Sequence, residues 1–96
     1  MIVEFSQFNL VAGTKEEDFL EAVEFSQDFI EDQPGFVSRE VLKSGDDWFD
    51  IVRWETREHA ETASEKFQEA DETDDFVNMI DEESLVMLQL DQLKDF

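Results

Sequence analysis

Hydrophobic and polar positions change period sharply between Asp47 and Phe67. Trp48, Asp50, Val52 and Trp54 alternate with Phe49, Ile51, Arg53 and Glu55, which is the two-residue period of a strand with two distinct faces. Directly afterwards Ala60, Ala63 and Phe67 recur at helical spacing, and Thr56 offers a side-chain oxygen to cap the helix. The pattern predicts a helix over about Arg57 to Glu69, with small residues that let it lie close to a sheet.

Flanking segments repeat the theme. Ile2 to Val11 reads as a first strand, with Val3, Phe5, Gln7 and Asn9 on one face and Ile2, Glu4, Ser6, Phe8 and Leu10 on the other. Gly13 ends it, and Thr14 with Glu17 forms a capping-box pattern. A helix then runs from about Lys15 to Asp32, its stripe formed by Phe19, Leu20, Val23, Phe29 and Ile30. Pro34 and Gly35 stop it. Phe36 to Lys43 is a second strand, joined to the third by a turn at Ser44-Gly45-Asp46-Asp47. After a polar break at Asp71 to Asp75, Thr73 can cap a short helical turn that buries Phe76, Met79 and Ile80. Asp81-Glu82-Glu83 makes a corner into a last strand, Ser84 to Leu90, and Asp91 to Phe96 either extends that strand or frays.

The order strand, helix, strand, strand, helix, strand describes two interleaved β-α-β halves. It gives an α+β, ferredoxin-like βαββαβ domain with a four-stranded antiparallel sheet and helices on one face. Residues 1–96 form a single domain, too short for two cores. The second sheet face stays uncovered, displaying more apolar area than the few hundred Å² that a monomer normally tolerates. A two-fold homodimer packed sheet to sheet is the natural cover, giving a dimeric α/β barrel.

Charge narrows the partners. The chain carries 27 Asp and Glu against 7 Lys and Arg, a net charge of -20, with a pI near 4.1. Such a surface repels phosphate backbones and anionic leaflets, so nucleic acid and membranes are excluded as partners. The acidity reads either as a solvated, self-repelling coat or as a recruiter of cationic partners. There is no cysteine, hence no disulfide or thiolate chemistry. Glu4 falls where a signal peptide needs an apolar run, and no apolar segment approaches a membrane-spanning length of about 20 residues. A cytoplasmic location is the simplest expectation. Asp71-Glu72 and Asp74-Asp75 lack the ligand spacing and glycine of a calcium loop, so no metal site is expected.

Four residues stand out as candidate ligand contacts. Trp54 could stack on an aromatic ligand or fill the core. Gln7 and Gln89, like Asn9, are uncharged polar groups in otherwise apolar strands, where a buried amide must find partners in a ligand or across a dimer. His59, the only histidine, is either a rim base or an exposed first-turn residue among carboxylates. Arg53 beside Glu55 reads as an ion pair. No Ser-His-Asp arrangement, phosphate loop or dinucleotide fingerprint is present.

Leu10-Val11-Ala12-Gly13, Pro34-Gly35-Phe36 and Ile51-Val52-Arg53-Trp54-Glu55-Thr56 together resemble the dimeric α/β-barrel superfamily, and are most similar to its antibiotic biosynthesis monooxygenase-like group. The resemblance spans essentially the whole chain. It implies two facing sheets enclosing a small pocket per subunit. It also implies a compact apolar or aromatic ligand, and either cofactor-independent oxidation of electron-rich phenols or a non-catalytic, stress-type barrel with a packed interior. Characterised members often carry a histidine about two helical turns after the strand-ending tryptophan; Thr62-Ala63-Ser64 occupy that region here. The related haem-degrading branch resembles an asparagine on strand one, which Gln7 or Asn9 approximates, and a tryptophan in helix two, which nothing here matches. No cofactor is therefore expected.

Overall fold

The computed structural model describes residues 1–96. Four strands, β1 (Ile2–Phe8), β2 (Phe36–Ser44), β3 (Asp47–Trp54) and β4 (Val86–Asp91), form one antiparallel sheet in the order β2-β3-β1-β4. Helices α1 (Glu16–Ile30) and α2 (Arg57–Glu69) and the short α3 (Asp74–Met79) complete the fold. This is the ferredoxin-like βαββαβ plan.

Alternation in β3 survives intact: Trp48, Asp50, Val52 and Trp54 are buried while their intervening neighbours are not. Cross-strand register puts Ile2 opposite Trp54, Glu4 opposite Val52, Ser6 opposite Asp50 and Phe8 opposite Trp48, so these eight share the helix-covered face. Two apolar clusters lie under the helices. Ile2, Val52 and Trp54 meet Ile30 of α1 and Ala60 and Ala63 of α2, while Phe8 and Trp48 meet Phe19 and Ala22 of α1 and Phe76 of α3. Phe67 packs against both. Aromatic rings knit the second cluster, with Phe19 against Trp48 at 4.9 Å between centroids and against Phe76 at 5.4 Å.

A buried ion pair ties β2 and β3 to α1. Arg39 meets Asp50 at 2.8 Å with side chains only 3% and 9% exposed, and its Nη1 donates to Ser26 Oγ at 2.8 Å. Its guanidinium also sits 5.2 Å from the centre of the Phe76 ring. Ser26 is thereby fully buried on α1 without an orphaned hydroxyl.

Several local expectations shift. β1 ends at Phe8 rather than Val11, with Leu10 retained only as an isolated bridge to Ile80. The Thr14–Glu17 capping box does not form. Lys15 takes the extended N-cap conformation, so the helix starts one residue later and Thr14 lies outside it. Glu16, Glu17 and Asp18 answer the positive end of the helix instead. Leu20 is 45% exposed because the buried stripe follows Phe19, Ala22, Ser26 and Ile30. Thr73 does not cap α3: its hydroxyl turns back to donate to Ala70 O at 3.0 Å. Ser84 belongs to a 3-10 turn, Glu82–Ser84, and β4 begins only at Val86. By contrast, Thr56 caps α2 as expected, accepting from His59 N at 3.1 Å.

The open sheet face carries Val3 and Phe5 from β1, Phe49 and Ile51 from β3, and Val86, Leu88 and Leu90 from β4. The last three are each 44–49% exposed.

Candidate functional site

A cavity of about 380 Å³ opens between the sheet and the helices, at the seam between the two apolar clusters. Its walls are Phe8, Val52 and Trp54 from the sheet, Ile30, Ala63 and Phe67 from α1 and α2, and Phe76 and Val77 from α3. Ile80, Leu85 and the 59%-exposed Met87 stand on the β4 side. Polar lining comes from Glu4, Ser6, Asp50, Ser64, Gln68 and Glu82. Three of those are carboxylates, and no Lys, Arg or His is among them.

Glu4 is the chemical centre of this wall. Strand alternation aims it at the helices, where it is half-buried. Its Oε1 accepts from Trp54 Nε1 at 2.6 Å, and its Oε2 accepts from Ser64 Oγ of α2 at 3.0 Å. Burial holds its carboxyl above the ordinary carboxylate range, since removal from water penalises the charge. Hydrogen bonds from Ser64 and Trp54 oppose that shift, the negative Asp50 reinforces it, and Gln89 opposes it weakly. Glu4 thus has two neutral donors, Trp54 and Ser64, and no paired cation, whereas Asp50 has Arg39. Such a group can accept a hydrogen bond, hold a positive charge or take a proton.

The four candidate residues do not converge. Trp54 is 2% exposed, lines the cavity and holds Glu4. Gln89 lies on the same sheet face opposite Glu4, but it is exposed and its Oε1 accepts from Arg57 Nη1 at 2.6 Å. Gln7 is on the other face of the sheet, opposite Phe49 and Val86, because its odd position along β1 points it away from the helices. His59 also lies outside the cavity. Its Nδ1 sits 2.9 Å from Thr56 Oγ1, and its ring packs on Gly35, where any Cβ would collide with it. Gly35 also has φ +83°, so two independent constraints demand glycine there. This cavity lies within one chain, on the helix side of the sheet.

Glu4, Ser64 and Asp50 were not singled out from sequence. The available signal was a carboxylate interrupting each apolar strand face: Glu4 between Ile2 and Phe8, Asp50 between Trp48 and Val52. A haem does not fit this wall, because the single imidazole is engaged at Gly35 and the cavity offers no histidine to an iron. No three His, Cys, Asp or Glu side chains are placed to hold a metal ion, and no helix is long and apolar enough to cross a membrane.

The fold is that of the antibiotic biosynthesis monooxygenase-like structures. SnoaB, a cofactor-independent oxygenase from Streptomyces nogalater, superposes with a TM-score of 0.81 at 13% identity, over 98% of this chain and 94% of that one. A protein from Nitrosomonas europaea, described as a candidate antibiotic biosynthesis monooxygenase, gives 0.74 at 19% identity over 98% and 100%. MhuD in its R26S form, with two manganese protoporphyrin IX molecules bound per active site, gives 0.78 at 17% identity over 100% and 98%. No family model matches the sequence, and no curated protein matches it. At these identities the likeness establishes the fold, and the resemblance read from the sequence holds at that level.

Proposed function

We propose that this chain is a small-molecule binding protein of the antibiotic biosynthesis monooxygenase-like type, working as a homodimer. It takes a compact, largely apolar ligand into the helix-side cavity. The observation that carries this reading is a 380 Å³ space, within the usual range for ligand sites, walled by aromatic and aliphatic side chains around one anchored carboxylate. A ligand's polar donor would meet Glu4 while Trp54 and Phe67 hold its apolar body. Such a cavity argues against a filled interior. The homodimer is supported by the apolar β1, β3 and β4 side chains on the open sheet face. Native mass spectrometry of the freshly purified protein tests both parts together. A dimer carrying small-molecule mass is the expected result, and a clean monomer would remove the barrel.

A second reading, cofactor-independent oxygenation, is favoured by the raised affinity of Glu4 for a proton. Glu4 would accept a proton from an activated methylene, and the resulting substrate anion would reduce dioxygen. The methylene becomes a carbonyl holding one oxygen atom, and the other leaves as water, so R₂CH₂ and O₂ give R₂CO and H₂O. Oxygen uptake with an anthrone-type substrate, lowered in Trp54→Ala while the dimer persists, is the expected behaviour. Uptake unchanged in Trp54→Ala would remove Trp54 from the chemistry, and no uptake at all would remove the oxygenase reading.

A further inference from the structure

Carboxylates facing the cavity differ in one respect. Asp50 is neutralised by Arg39 at 2.8 Å, whereas Glu4 is held only by the neutral donors of Trp54 and Ser64. None of the 17 lining residues is cationic, and Glu82 adds a further negative charge at the rim. A carboxylate withdrawn from water without a counter-charge is costly. Trp54 bonds it directly, and Phe8, Phe67 and Phe76 line the same cavity, aromatic surface of the kind that suits an organic cation. Of the cations near this end of the fold, Arg57 is committed to Gln89 and Asp91 on the exposed side of β4.

We propose that the ligand of this cavity carries a protonated amine on a compact aromatic or aliphatic body, with its ammonium on Glu4 and its apolar part against Trp54, Phe67 and Phe76. The ligand would supply the cation that Arg39 supplies to Asp50. Anionic molecules of equal size would be turned away by Glu4 and Glu82. The proposal, which rests on the cavity being the binding site but not on oxygenation, also gives part of the acidity a local purpose: a surface of charge -20 attracts cations toward the opening.

Three probes of one shape separate the possibilities: naphthalen-1-ylmethylamine, naphthalen-1-ylmethanol and 1-naphthoic acid. Each is titrated by calorimetry at about 0.15 M salt, where the screening length is about 8 Å and distant surface charge contributes little. The wild-type order expected is amine, then alcohol, then acid, with the amine about tenfold or more tighter than the alcohol, a difference of about 1.4 kcal/mol. In Glu4→Gln the amine-to-alcohol ratio should fall close to one. Equal affinity for amine and alcohol in the wild type overturns the ammonium assignment but leaves the cavity as a neutral-ligand site. An amine preference that survives in Glu4→Gln also overturns it, assigning the preference to the surface. If none of the three binds, the cavity reading falls as well. The wild-type order tests the preference for a cation, and Glu4→Gln tests its assignment to Glu4.

Discussion

Trp54 Nε1 donates to Glu4 Oε1 at 2.6 Å, a diagonal contact between neighbouring strands that fixes the one polar anchor in an apolar wall. Hydrogen bonds to a charged group contribute about 1.5–3 kcal/mol each, more than neutral ones. Trp54→Phe keeps most of the ring area and removes the donor. It should therefore lose about that much stability in urea titration at neutral pH. A loss below about 0.5 kcal/mol would mean that water or Gln89 replaces the indole at no cost.

Glu4 gives stability a pH signature. Its folded-state affinity for protons is raised by burial, so the folded protein binds more protons than the unfolded one between the ordinary glutamate value and the raised one. Its contribution to stability is complete below the unfolded pKa and is lost as pH rises through the folded value. Glu4→Gln removes this loss. The stability of Glu4→Gln relative to wild type should therefore improve as pH rises from about 4 to neutrality. Parallel curves for the two proteins would show that burial does not raise the affinity of Glu4 for a proton.

Arg39 and Asp50 offer a sharper stability test. Both side chains are nearly inaccessible, and Arg39 also serves Ser26. Arg39→Met leaves Asp50 charged beside an apolar cavity and should cost about 3–5 kcal/mol. The double variant Arg39→Met/Asp50→Leu should recover most of that loss, since no orphaned charge remains. Additive losses in the double variant would contradict this explanation.

Strand alternation made the architecture legible. Period-two patterns assigned both faces of β3 correctly, and Thr56 marked the start of α2 where the structure has it. The β2–β3 turn also falls where Gly45 and Asp46 suggested, with Gly45 at φ +61°. What sequence concealed was which face of the sheet carries the cavity. Uncharged amides such as Gln7 drew notice because they interrupt apolar strands, yet Gln7 faces the open side. Glu4 is one of 27 acidic residues, and its place on a strand face with Ile2 and Phe8 does not by itself mark it out. Its importance comes from Ser64, which lies 60 positions away on α2, and local pattern carries no such contact. His59 is similar: it lies on α2, and its environment is fixed by Gly35 between α1 and β2.

If the open sheet face is the interface of the proposed homodimer, one charge placed there will separate it. Leu88 lies opposite Phe5 on this face and is 48% exposed, so Leu88→Asp removes little from the chain's own core. It should convert a dimer to a folded monomer in sedimentation velocity, with helix content unchanged. A dimer that persists would place the interface elsewhere.

Salt dependence follows from the surface. Like charges totalling -20 repel one another in the compact state, and salt shortens their reach from about 30 Å at 0.01 M to about 3 Å at 1 M. Tm should climb over that range. A flat or falling curve would show that the acidic surface is already compensated.

In the proposed function, the ligand enters between the helices and the sheet of one chain. An amide NMR titration with naphthalen-1-ylmethylamine tests it most directly. Shifts concentrated at Ser6, Ser64, Gln68 and Met87, which surround the cavity, are the expected result. Shifts concentrated at Val3, Phe5, Phe49 and Leu88 would place the ligand on the opposite sheet face and contradict the account.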